Sequence, residues 1–267
     1  MSAGIRERPG AESSARPRTT WQDLDTAVVA AVVVLTIAAE IAVAAQRTVL
    51  AAVLDAAAIV LAVNGDVIGQ GPHVRRGALG ALALVPLARL LSLGMAVEDP
   101  VVSLSAAGAP MLLATVLAAR TVGVDPGAQL RGLGARSQWP LALAGLAAGG
   151  VGAALFRPQP LIADPGPLAA AAALLAVFVF AGVFEELLFR GVLQSALRPV
   201  GRWPAPVATV LFASLYLDAG WTAAVAAAVG GSAAAWWVSR TRSLAGVAVA
   251  HGMFAAGFLV GWPLLYS

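Results

Sequence analysis

Two adjacent glutamates, Glu185 and Glu186, interrupt the apolar run from Pro167 to Leu197, and Arg190 follows four residues behind the second. An ionised group at bilayer depth costs roughly 2.5–3.5 kcal/mol on insertion scales, so intramembrane acids mark a functional site unless a partner neutralises them. The i,i+4 spacing lets Arg190 neutralise Glu186, in the favourable order with the acid N-terminal. Glu185, about 100° further round the helix, is expected to face a different neighbour and to remain free for chemistry or for binding water. Two histidines complete the inventory of groups that titrate near neutrality. His251 lies in the last apolar segment, and His73 lies in a loop beside Arg75 and Arg76.

These residues must be positioned by elements that live in lipid. The chain is 60% hydrophobic and 12% charged, where soluble domains carry about 25% charged residues. Apolar stretches near 26–46, 49–69, 77–97, 101–119, 139–156, 168–197, 204–217, 221–239 and 243–264 approach or exceed the length needed to cross a hydrocarbon core of roughly 30 Å. The expected fold is an all-α polytopic membrane bundle of about eight to nine transmembrane helices. The 204–217 stretch, opening Pro204-Ala205-Pro206, is short and reads as tilted, broken or re-entrant.

All 17 basic residues are arginines. With a cytoplasmic N-terminus, the inner loops hold Arg6, Arg8, Arg16, Arg18, Arg75, Arg76, Arg120, Arg131, Arg136, Arg198, Arg202, Arg240 and Arg242, and the outer loops hold only Arg47 and Arg157. That asymmetry predicts a multi-pass cell-membrane protein with its N-terminus inside. The tryptophans agree, since Trp21, Trp139, Trp203, Trp236 and Trp237 fall at inner ends and Trp221 and Trp262 at outer ends. Dispersed loop arginines explain the basic pI without a nucleic-acid patch, so nucleic acid is not an expected partner. The absence of cysteine excludes disulfides, a thiol nucleophile and Cys-ligated zinc.

The expected organisation is a polar tail over 1–25, a four-helix region over 26–119, a cytoplasmic loop over 120–138 and a second membrane region over 139–267. Small residues from Gly145 to Gly150 and at Gly230-Gly231 offer faces where helices can approach closely. The first region carries buried charges of its own, Glu40, Asp55, Asp66 and Arg89. A structural ion pair between Arg89 and one of these acids is expected, with a proton or ion path as the alternative.

The second region repeats a pattern in order: Glu185-Glu186…Arg190, then Phe212…Tyr216, then Arg242-Ser243-Leu244 leading to His251…Ala255. This resembles the CPBP family, the CAAX prenyl proteases and bacteriocin-processing or immunity proteins of the membrane, whose pattern is EExxxR, FxxxH and HxxxN. The resemblance covers about 168–262. Tyr216 stands where the family has histidine and Ala255 where it has asparagine. The resemblance implies an intramembrane endopeptidase in which Glu185 activates water and His251 stabilises the oxyanion, with Glu186, Arg190 and Tyr216 completing the site. Its substrate would be a peptide or lipidated protein.

A phenol titrates near pH 10 and replaces an imidazole base poorly, though its hydroxyl can orient a water. The departures at Tyr216 and Ala255 therefore imply weakened activity. The alternative is a non-catalytic relative, an immunity or scaffold protein that binds a peptide or lipidated ligand; a transporter is a third reading. Glu185 and His251 supply two good metal ligands where catalytic zinc takes three, and no HExxH occurs, so zinc or another divalent metal fits poorly and the cofactor is left open. For Tyr216 the structural reading is a hydrogen bond to backbone; for Phe212 it is packing.

Overall fold

The computed structural model describes residues 20–68, 77–95, 97–162, 166–198 and 203–266. Most of the N-terminal tail, His73, Arg75, Arg76, Asp164, Arg202 and the side chain of Asp66 lie outside the described residues. Among those described there is no strand, and seven helices are long and apolar enough to cross a membrane. The fold is an all-α polytopic membrane bundle.

In chain order the elements are α1 (Thr20–Ala44), α2 (Thr48–Ile68), α3 (Ala78–Leu82), α4 (Leu84–Gly94), α5 (Pro100–Thr121), α6 (Pro126–Gln129) and α7 (Trp139–Phe156). They continue with α8 (Pro167–Ala196), α9 (Pro204–Ser214), α10 (Trp221–Thr241) and α11 (Ala245–Leu265). The first helix begins at Thr20, ahead of the apolar run. Its last 19 residues, Thr26–Ala44, are lipid-like in composition, and it packs along α2.

The apolar stretch near 77–97 is two helices rather than one. Pro86 has no N–H to give to the Leu82 carbonyl, and the ladder breaks at Ala83 between α3 and α4. The α9 helix has eleven residues, about 16 Å at 1.5 Å per residue, so it is too short to cross the hydrocarbon core unaided. It ends in a turn over 215–220 that carries Tyr216. Asp99 caps α5 by accepting hydrogen bonds from the backbone N–H groups of Val101 and Val102 at 2.8 and 3.1 Å, with Pro100 at the first helical position.

The long helix α8 is not α-helical throughout. It widens to i→i+5 bonding over Phe178–Phe184 and again over Leu187–Leu193, with Glu185 and Glu186 between the two widened stretches. Its second half is the most enclosed part of the molecule, with Leu187, Phe189, Val192 and Leu193 wholly buried. A third widened stretch, Gly257–Gly261, lies in α11.

Glycines set how closely these helices approach. A Cβ on Gly145 would strike the Ala250 carbonyl, and one on Gly149 the Phe254 carbonyl, so α7 lies backbone to backbone on α11. Gly182 and Gly252 meet in the same way between α8 and α11, where an added Cβ at Gly182 would stand 2.5 Å from the Gly252 Cα. Glu185 and Glu186 follow Gly182 by a turn and His251 adjoins Gly252, so this crossing brings the acids to the imidazole.

Candidate active site

Three helices deliver the five residues singled out by the sequence, and the structure brings all five together. Tyr216 donates its hydroxyl hydrogen to Glu185 Oε2 at 3.1 Å. The same carboxylate oxygen lies 3.8 Å from His251 Nε2. On the other edge of the ring, His251 Nδ1 lies 2.9 Å from Glu186 Oε1, and Arg190 Nη1 reaches that oxygen at 3.4 Å. A carboxylate held by arginine accepts hydrogen bonds, so Nδ1 donates here and Nε2 faces Glu185.

The expectation that Glu185 turns to a different neighbour is corrected in one respect. It does reach α9 through Tyr216, but both glutamates also converge on His251. An imidazole offers two nitrogens on opposite edges, and one carboxylate addresses each. The flanking i→i+5 stretches also change the helical phase assumed from a regular 3.6-residue period. The pairing of Glu186 with Arg190 stands as expected. Tyr216 bonds a carboxylate rather than backbone.

Burial divides the cluster into two sides. Glu185 and His251 are 21% and 16% exposed, whereas Glu186 and Arg190 are 3% and 1% exposed. The accessible side thus presents Glu185 Oε2, the Tyr216 hydroxyl and His251 Nε2, and the enclosed side holds the ring in place. Phe212 is the hub of the enclosed side. The Arg190 guanidinium lies over its ring at 4.2 Å, and the rings of Phe189, Tyr216 and His251 meet it edge-on at 5.2, 5.3 and 5.7 Å. Packing is therefore its observed role. Ala255 sits a turn beyond His251 in an apolar cluster with Ala173, Val177 and Val260, so no polar group occupies that position.

Among the described residues no group of three or more His, Asp or Glu side chains is placed to hold a metal ion. Glu185 and His251 form a two-donor set whose shared face is completed by a phenol that donates to the carboxylate. That set is one ligand short of a catalytic zinc site and does not fit one.

The charges of the first region form a second cluster. Arg89 Nε donates to Glu40 Oε1 at 2.9 Å, and its Nη2 pairs with Glu40 Oε2, the ion pair expected for this region. Arg89 also reaches across to the turn after α9, donating from Nη1 to Asp218 Oδ2 at 3.2 Å and from Nη2 to the Leu215 carbonyl at 2.8 Å. Asp218 is a partner of Arg89 that the sequence analysis did not single out. The buried Asp55 accepts no hydrogen bond from the protein.

Residues 167–257 match the family model described as type II CAAX prenyl endopeptidase Rce1-like. Comparison with curated proteins and with solved structures gave no match. The matched stretch contains all five clustered residues, from Glu185 to His251, and leaves the first region outside it. With its apolar helices, this is a multi-pass membrane protein whose residues 167–257 are similar to that family. The match is consistent with the resemblance to the CPBP family that the EExxxR pattern carries.

Proposed function

We propose that this protein is an intramembrane endopeptidase resembling the CAAX prenyl proteases, with activity below that of relatives that carry the full pattern. The observation that supports it is Glu185 Oε2, held by the Tyr216 hydroxyl at 3.1 Å and facing His251 Nε2 at 3.8 Å on the accessible side of the cluster.

In this reading a water bound between Glu185 and His251 attacks the carbonyl carbon of the scissile amide while its proton passes to the Glu185 carboxylate. The carbonyl π electrons move to oxygen, and His251, in this reading an imidazolium between the two glutamates that carries a proton on Nε2 as well as on Nδ1, donates from Nε2 to the resulting oxyanion. Collapse of the tetrahedral intermediate breaks the C–N bond, and the leaving amine takes the proton from Glu185. Glu186 accepts from Nδ1 and, backed by Arg190, holds the orientation of the ring from behind. Tyr216 orients the carboxylate and the water but supplies no base, and Ala255 supplies no oxyanion donor. One lost oxyanion donor alone lowers rates by about 10²–10³ in other hydrolases.

The two departures also favour a second reading, a non-catalytic relative that binds a peptide or lipidated ligand as an immunity or scaffold protein. Peptidase turnover in proteoliposomes, with Glu185→Gln as control, separates the two. The enzymatic reading expects turnover that falls by about 10²–10⁴ in that variant and rises above wild type in folded Tyr216→His/Ala255→Asn. A folded double variant without turnover on lipidated and unlipidated peptides supports the binding protein.

The arginine distribution supports a cell-membrane protein with a cytoplasmic N-terminus and two regions, 26–119 and 139–267, joined by a cytoplasmic loop. Because the chain has no cysteine, single-cysteine labelling reads this directly. Labelling at position 131 from the outside would overturn it.

A further inference from the structure

We propose that Arg89 is a positioning residue for the site: held by Glu40, it clamps the turn that carries Tyr216 and so sets where the phenol meets Glu185. The inference rests on the reading of Glu185 and Tyr216 as site residues, and it adds a part for the region outside the matched domain.

The geometry of the clamp is complete. Arg89 lies on α4 and Glu40 on α1, and the two are joined by parallel contacts at Nε and Nη2. A planar guanidinium fixed on one edge by a buried carboxylate points its remaining N–H groups in set directions. Those groups grip the turn on both sides of Tyr216, at the Leu215 carbonyl and at Asp218 Oδ2. The backbone closes the turn as well, with Tyr216 N–H donating to the Ala213 carbonyl at 3.1 Å and Ala219 N–H to the Tyr216 carbonyl at 3.2 Å.

Position matters here because α9 is short and Tyr216 lies beyond its last turn, outside the regular helix. Among the described residues, the turn after α9 bears the one side chain that hydrogen-bonds Glu185 from outside α8 and α11. A displacement on the order of 1 Å in a positioning element can cost about 10²-fold in rate. If the pair of Arg89 and Glu40 served only to staple α1 to α4, contacts between the two helices would suffice. The guanidinium instead spends two of its hydrogen-bonding directions on a turn 126 and 129 residues away.

The chain has two tyrosines, Tyr216 and Tyr266. Full-length protein labelled with 3-fluorotyrosine gives two fluorine resonances, and Tyr266→Phe leaves that of Tyr216 alone. In that background Glu185→Gln is the reference and should move the resonance, because it alters the group that the phenol donates to. Asp218→Ala removes one arm of the clamp at a side chain that is 39% exposed, so the fold survives. It should shift or broaden the Tyr216 resonance by more than its linewidth. Arg89→Lys keeps the charge but cannot span Glu40, Leu215 and Asp218 together, and it should move the resonance further.

If Glu185→Gln moves the resonance while folded Asp218→Ala and Arg89→Lys both leave it in place, the clamp is wrong and the site reading stands. If Glu185→Gln leaves it in place, the contact between Tyr216 and Glu185 fails, and the inference fails with it.

Discussion

The two arginines buried among the described residues, Arg89 and Arg190, are treated in opposite ways. Arg89 is hydrogen-bonded at Nε, Nη1 and Nη2, to two carboxylates and a carbonyl. Arg190 has no protein hydrogen-bond partner at any of its three nitrogens; a 3.4 Å ion pair and the face of Phe212 hold it instead. Its partner Glu186 keeps one oxygen unbonded, and the Gln194 side-chain oxygen nearby is unbonded too. An unmet buried polar group costs about 1–3 kcal/mol, so such groups call for an explanation beyond stability. Arg89 itself is fully satisfied and suited to holding position, while Asp55 beside it is the one member of its cluster, among the described residues, that keeps both carboxylate oxygens unbonded. The cluster around Arg190 keeps unspent polar capacity beside accessible groups, as a site that must bind water or substrate requires.

Removing each arginine breaks or sharpens this contrast most strongly. Arg89→Ala leaves Glu40 wholly buried without its partner and should lower stability by about 3–5 kcal/mol. Arg190→Ala should cost less, because Glu186 retains His251 Nδ1. Reversible unfolding in detergent micelles measures both, and an equal or larger loss at Arg190 would show that its cluster is structural in the same sense.

A smaller effect is expected at Gly231 in α10. A Cβ there would lie 2.6 Å from Arg190 Nη2 and 3.1 Å from Phe212 Cδ1, whereas one on Gly230 meets nothing within 4 Å. Gly231→Ala should cost about 1–3 kcal/mol by overpacking the enclosed side, and Gly230→Ala should be neutral. The same unfolding measurement applies, and equal effects at the two positions would contradict the placement of Arg190 against α10.

The same contrast explains what could be read from the sequence. Glu186 and Arg190 were legible because an i,i+4 pair declares its own geometry, and the apolar stretches were legible because lipid imposes length and composition. The meeting of Glu185, Tyr216 and His251 followed from a resemblance, since nothing in the spacing of residues 31 and 66 positions apart implies contact. Glu186 as the partner of His251 was not legible, because regular helical phase sends the two acids apart and hydropathy cannot reveal i→i+5 bonding. The clamp was hidden for a different reason. One of its arms ends on the Leu215 backbone carbonyl, which every residue type possesses, and the other ends on Asp218, whose surroundings read as an ordinary outer turn. The break at Ala83 was signalled by Pro86 but masked by the unbroken apolar character around it.

The smallest expected effect carries the sharpest distinction. Tyr216→Phe removes one hydroxyl and leaves the ring against Phe212, at 5.3 Å and edge-on. The lost bond is worth about 0.5–1.5 kcal/mol to stability. If the phenol only orients Glu185 and its water, turnover should fall by no more than about tenfold, since tenfold corresponds to about 1.4 kcal/mol. Stability and turnover measured on the same preparation then fall by comparable free energies, which is the signature of a positioning contact. A loss of turnover beyond about 10²-fold, with stability down by the single bond, would mean that the hydroxyl takes part in proton transfer. Tyr216 would then be a working substitute for the missing histidine, and the accessible cluster would owe its chemistry to the departure from the family pattern rather than survive in spite of it.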